Sequence, residues 1–124
     1  GAAIIDDQGR ILLVQRRREP EAGHWGQPGG KLDWGEPGRT CAEREIREEL
    51  GVEIVAGPVL AVTDMISADS HWLAVTYRAD GCLGEPAIQE PEALADWGWF
   101  ALDALPSPLT QATQDAVAAL RGAG

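Results

Sequence analysis

The sequence predicts a mixed α/β fold in which helices pack on the faces of a mixed β-sheet. Three observations carry that expectation. Branched and aromatic runs of strand length precede a charged stretch of helical period. More strand-like runs follow it, and a second helix-like stretch closes the chain. The order strands, helix, strands, helix is that of a layered α/β domain.

The elements follow in order. Ala2 to Ile5 and Ile11 to Val14 are apolar runs around Asp6-Asp7-Gln8-Gly9, a hairpin signal. Arg16 to Gln27, with Pro20 and Gly23, reads as a loop, and Pro28-Gly29-Gly30 as tight backbone punctuation. Arg39 to Leu50 reads as a helix stopped by Gly51. Its start has two readings: a capping box from Thr40 to Glu43, or Pro37 inside the first turn, where its missing N–H costs nothing. Val52 to Val55, Val59 to Thr63 and Trp72 to Tyr77 are β-like, and Trp97 to Phe100 is a shorter strand. Pro106 and Pro108 lead into a final helix from Leu109 to Leu120.

Composition narrows the function classes. A chain of 124 residues, 44% of them apolar, is expected to form one domain with its own core. Its apolar runs are too short to cross a bilayer, and no charged-then-apolar leader opens the chain, which starts at Gly1 rather than Met. Cys41 and Cys82 lack metal-ligand spacing, so free thiols and a cytoplasmic location are expected. A net charge of −10 argues against binding a nucleic-acid polymer. Eight of the ten basic residues nevertheless fall between Arg10 and Arg47. Such a cationic region in an acidic protein suits a small anionic substrate, although clustered charges also simply solvate a surface. A homodimer is compatible with all of this.

The chemistry-bearing stretch is Glu43-Arg44-Glu45-Ile46-Arg47-Glu48-Glu49-Leu50. At about 100° per residue, Glu45, Glu48 and Glu49 share one face, while Ala42, Ile46 and Leu50 share another that can bury on the sheet. Carboxylates held this close repel one another, and a divalent cation reverses that sign. All-oxygen ligation suits Mg²⁺ or Mn²⁺. On the helix alone, a solvated face with an Arg44–Glu48 ion pair explains the pattern as well. The upstream spacing decides between them. Gly30 is followed by five residues and Glu36, then seven more lead to Arg44-Glu45-Ile46, Arg47, Glu48-Glu49, Leu50, Gly51 and Val52.

This resembles the complete Nudix box, G-x5-E-x7-R-E-U-x-E-E-x-G-U with U apolar, and a pattern fixing so many residue types is rarely met by chance. The approach Leu12-Leu13-Val14-Gln15-Arg16, the segment Trp25-Gly26-Gln27-Pro28-Gly29-Gly30, and Trp97-Gly98-Trp99-Phe100 with Leu105-Pro106 are also similar to the family's usual sequence. The resemblance implies a three-layer α/β/α sandwich around the mixed sheet. It implies Glu49, Glu45 and Glu48 as ligands of Mg²⁺ or Mn²⁺, with a backbone carbonyl at Gly29 or Gly30 joining them. Arg44 would orient a neighbouring glutamate, and Glu36 would tie loop to helix through Arg44; with Gly51, Glu36 is expected to be structural. The general base would be Glu45, Glu48 or a later glutamate, with Glu90 and Glu92 as the candidates there. Arg16 and Gly30 are expected against substrate phosphates, with Arg17 and Arg18 facing solvent. One of Trp25, Trp97 and Trp99, with Trp99 preferred, is expected to contact the base. One departure stands out: Pro37-Gly38 follows Glu36 where many members place a Ser or Thr cap.

The implied reaction is metal-dependent hydrolysis of a nucleoside diphosphate linked to another group. The proline that marks many ADP-ribose-cleaving members is absent; Ser67 and Ala68 stand in its place. That favours (deoxy)nucleoside triphosphates, with ADP-ribose or a nucleotide sugar second. A nucleotide sensor without catalysis is the reading from another class, and the intact glutamates speak against it.

Overall fold

A computed structural model describes residues 1–123. Six strands and two helices occur in the order β1 (Ala2–Ile5), β2 (Ile11–Arg16), β3 (Trp25–Gly26), α1 (Gly38–Leu50), β4 (Val59–Ile66), β5 (His71–Asp80), β6 (Leu94–Phe100) and α2 (Gln111–Ala123). β2 organises the sheet. Its first residue pairs antiparallel with β1, its end pairs with β3, and β6 runs antiparallel along its other edge. β1 then pairs parallel with β5, and β5 antiparallel with β4, so the sheet is mixed.

Strand alternation sends side chains to two cores. Leu12 and Val14 of β2, with Ala2 and Ile4 of β1, pack against Ile46 and Leu50 of α1. Ala3, Ile11 and Leu13 point the other way, towards Leu120 of α2. Helix, sheet and helix therefore form the three layers that the sequence leads one to expect. None of the described helices is long and apolar enough to cross a membrane.

Differences from the sequence reading have local causes. Trp25–Gly26 forms a two-residue strand inside the expected loop, because Gln15 and Val14 offer it free backbone groups. Val52 to Val55 forms no strand: Val52 and Ile54 are buried, and its one bridge among the described residues is Glu53–Leu83. Helix α1 has no capping box. Pro37 is the N-cap, extended and without a side-chain cap, and Glu43 instead accepts a hydrogen bond from the Ala56 N–H at 2.9 Å. Gly38 opens the helix where the Tyr77 hydroxyl comes so close that a Cβ would collide with it. Helix α2 starts later than Leu109, at Gln111, where the Glu21 carboxylate accepts from the Gln111 N–H at 2.9 Å.

Candidate active site

Arg44 is the hub of the loop–helix segment. Its guanidinium grips Glu36 with two bonds, Nε to Oε2 at 2.7 Å and Nη2 to Oε1 at 2.9 Å. The free fork edge reaches Glu48 at 3.1 Å and Glu45 at 3.0 Å. Nη2 also donates to the Lys31 carbonyl at 3.3 Å. Bidentate charge-assisted bonds of this kind fix geometry as well as charge. Arg44 and the Asp33 N–H hold the Glu36 carboxyl down to about 2. Glu36, chiefly, raises the Arg44 guanidinium further above its usual range.

The three helix glutamates lie in different environments. Glu48 is half-exposed and occupied by Arg44. Glu45 is largely covered and lies against Gly30, whose missing Cβ would fall on the Glu45 carboxylate. Burial pushes its carboxyl up, against the pull of Arg44. Glu49 is buried at 8% exposure. Burial pushes it up to about 8, the negative charges of Glu45 and Glu90 add to that, and the Gly29 N–H and Arg16 oppose it. Acids whose ionisation is opposed by burial and by one another mark functional sites.

Among the described residues, no three carboxylate, imidazole or thiolate groups converge closely enough to hold one metal ion as they stand. Arg44 holds Glu45 at 3.0 Å and Glu48 at 3.1 Å. The donor set still fits a hard divalent cation. Glu45, Glu49 and Glu90 bring only oxygen ligands, and a cation between them would remove the repulsion that now opposes ionising Glu49.

The remaining expected residues divide by position. Arg16, at the end of β2, is close enough to act on Glu49, while its Nε donates to the Pro20 carbonyl at 2.9 Å. Trp99 pairs with Leu12, near the β1–β2 turn, and lines a cavity of about 320 Å³ with Asp6, Asp7 and Glu85. That end of β2 is remote from Arg16, and the structure does not bring Trp99 to the acids. Trp97, opposite Val14, is on the same face and nearer to Arg16. Trp25 packs on the α2 side, edge to Phe100 at 5.2 Å between ring centres.

Gly51 ends α1 in the left-handed region at φ 70° and donates to the Arg47 carbonyl. Two features are weak signals in the sequence. Glu90 follows Gln89, whose N–H donates to the Glu49 carbonyl at 2.9 Å, and its charge helps raise the Glu45 and Glu49 carboxyls. Arg17, expected in solvent, is exposed yet donates from Nε to the Pro91 carbonyl at 2.9 Å.

Comparison with known proteins now bears on this arrangement. The NUDIX domain model matches residues 1–120. A crystal structure of a MutT NUDIX hydrolase from Burkholderia pseudomallei superposes with a TM-score of 0.92, at 51% identity, covering 97% of this chain and 94% of that one. The Nudix hydrolase YvcI of Bacillus subtilis (strain 168) is 31% identical over 99 residues, 76% of this chain but 61% of its own length. A Mycobacterium tuberculosis (strain ATCC 25618 / H37Rv) protein provisionally named 8-oxo-dGTP diphosphatase 2 is 37% identical over 111 residues, 73% of this chain and 77% of that one. The chain belongs to the Nudix hydrolase family. Members of that family generally need a divalent metal ion.

Proposed function

We propose that this chain hydrolyses (deoxy)nucleoside triphosphates to a monophosphate and pyrophosphate, with Mg²⁺ or Mn²⁺ as cofactor. The observation that carries the reading is the buried Glu49 carboxyl beside Glu45 and Glu90, set against the Gly29–Gly30 turn and next to Arg16. Glu45, Glu49 and Glu90, with the Gly29 carbonyl, would hold the cation, and Glu48 would join when it leaves Arg44. When bound, the cation neutralises charge on phosphate oxygens and makes water a usable nucleophile near neutral pH.

The chain's own groups do the rest. Gly30, without a side chain, lets the loop close on the Glu45 carboxylate, and Gly29 lets it close on Gly1. Arg16 supplies the positive charge that a polyphosphate needs in an acidic site. Arg44, gripping Glu36, Glu45 and Glu48, keeps the loop and helix in one geometry. A carboxylate oxygen of Glu45, Glu48 or Glu90 takes the proton of the attacking water. Support for a triphosphate comes from the relative named as acting on 8-oxo-dGTP, together with Ser67 and Ala68 where a proline marks many ADP-ribose enzymes. The free thiols of Cys41 and Cys82 suit a cytoplasmic setting.

A panel of nucleoside triphosphates, ADP-ribose and nucleotide sugars, with products identified, tests the reading. Triphosphates should react with Mg²⁺ or Mn²⁺ and stop reacting in EDTA. Turnover of ADP-ribose alone, giving AMP and ribose phosphate, would overturn the substrate assignment. Full activity in EDTA would overturn the metal mechanism.

A further inference from the structure

We propose that Arg17 is a positioning residue for the hydrolytic site, its side chain fixing the Glu90–Glu92 turn so that Glu90 stays beside Glu45 and Glu49. The inference rests on the reading above that Glu90 belongs to that site.

The segment carrying Glu90 is held from two sides. Its first half is stitched to the end of α1. The Ala87 N–H donates to the Leu50 carbonyl at 3.0 Å, and the Gln89 N–H to the Glu49 carbonyl at 2.9 Å. These are carbonyls that a helix C-terminus leaves without partners of its own. The Gln89 side chain lies over Gly51, where an added Cβ would come within 3.1 Å of Nε2. The second half is a turn in which the Ala93 and Leu94 N–H groups both donate to the Glu90 carbonyl at 3.0 Å.

Arg17 holds this turn from the other side. Its backbone N–H donates to the Ala93 carbonyl at 2.9 Å, and its Nε donates to the Pro91 carbonyl at 2.9 Å. Pro91 has no N–H, so that carbonyl is its one backbone handle. Glu90 thus sits between Gln89, bound to α1, and Pro91, bound to Arg17.

Strand geometry explains why adjacent arginines divide the work. Side chains alternate along an extended chain, so Arg16 falls on the α1 face with Leu12 and Val14 while Arg17 reaches the Pro91 carbonyl. The β6 ladder breaks at the same level. Gln15 faces Asp96 but Arg16 faces Leu94, a bulge that breaks the ladder next to the Glu90–Leu94 turn. Arg17 itself is exposed, and its Nε is spent on a carbonyl rather than on a carboxylate. Its removal should therefore loosen one turn without opening the core.

The test combines kinetics with amide exchange on the whole chain. With dGTP and Mg²⁺, Arg17→Ala should lower kcat about tenfold or more while KM stays within about threefold, because a misplaced catalytic group costs rate rather than binding. Arg17→Lys, which keeps a donor on a long stem, should recover most of the loss. In a Glu90→Gln background, Arg17→Ala should cost nothing further. Amides of Ala93 and Leu94 should exchange faster in Arg17→Ala than in the wild type, whether or not dGTP is the best substrate. Unchanged exchange there overturns the proposal. So do multiplying losses in the double variant, or an active Arg17→Ala beside an impaired Glu90→Gln, and these leave the role of Glu90 standing. An unimpaired Glu90→Gln removes the underlying reading, and the proposal with it.

Discussion

Replacing Glu49 by Gln should separate stability from function with opposite signs. In the cation-free protein, the Glu49 carboxyl is raised from 4.5 to about 8, chiefly by burial and then by Glu45 and Glu90. A raised folded value means that the group's contribution to stability is fully present below 4.5. It is lost as pH climbs to about 8. At about 1.4 kcal/mol per unit, the interval between these two values is on the order of 5 kcal/mol, and about 3 of it is already lost at pH 7. Gln keeps an oxygen for the Gly29 N–H and carries no charge, so it escapes this loss. For a chain of this length, about 3 kcal/mol corresponds to roughly 10 °C in Tm. In EDTA, Glu49→Gln should therefore melt roughly 10 °C above the wild type at pH 7 and together with it near pH 4.5. Added Mg²⁺ should raise the wild type and leave the variant unmoved, while turnover of the variant falls about 100-fold or more. Circular-dichroism melts across pH, with and without EDTA, read the effect. Parallel Tm–pH curves for the two proteins would refute the reasoning, and near-normal activity of the variant in Mg²⁺ would refute the assignment of Glu49.

Three further outcomes follow from packing and geometry. Leu13→Ala, fully buried on the α2 side of the sheet, should cost about 2–4 kcal/mol in denaturant melts yet leave kcat in Mg²⁺ near normal, since Leu13 faces away from the acids. Gly51→Ala must hold φ 70° with a side chain and press on Gln89, so Tm should drop by an amount equivalent to about 1–2 kcal/mol; an unchanged Tm would contradict that account of the helix end. Arg44→Lys keeps the charge but loses the fork that binds Glu36 while reaching Glu45 and Glu48. Steady-state kinetics should show kcat about tenfold lower with the fold intact, and wild-type kcat would contradict the positioning role.

How much of this was legible in the sequence depended on whether the signal was periodic or relational. The cores were partly legible: the unbroken apolar run Ile11 to Val14 suits a strand covered on both faces, and Ala42, Ile46 and Leu50 recur at helical spacing, whereas the split of Leu12 and Val14 from Ile11 and Leu13 came from the fold. The stop at Gly51 was legible because a left-handed residue there favours glycine. The box spacing placed Glu45, Glu48 and Glu49 on one helix. It did not tell them apart, since their difference comes from what covers each: Gly30 over Glu45, the Arg44 fork at Glu48, and burial at Glu49. Trp25–Gly26 was too short to read as a strand. Glu90 was one of two candidate loop glutamates, not distinguishable from Glu92, and Arg17 read as a solvent-facing arginine. Their relation to the site depends on backbone bonds between segments distant in sequence, including Gln89 to Glu49 and Arg17 to Ala93. Trp99 was offered, with Trp25 and Trp97, because an aromatic ring can stack on a base, whereas the β6–β2 register carries it towards Asp6 and Asp7.

The central claim is that the acids around Glu49 direct water to an internal phosphorus. On the proposed reading, Glu45, Glu49 and Glu90 would hold a divalent cation that neutralises charge on the diphosphate oxygens, with Arg16 supplying positive charge nearby. The direct measurement is turnover of nucleoside triphosphates in ¹⁸O-water with Mg²⁺, with the label located in the first products by mass spectrometry. The account predicts monophosphate and pyrophosphate, with the label in the monophosphate for attack at the α phosphorus or in pyrophosphate for attack at the β phosphorus. Orthophosphate as the first product from every triphosphate tested would contradict it.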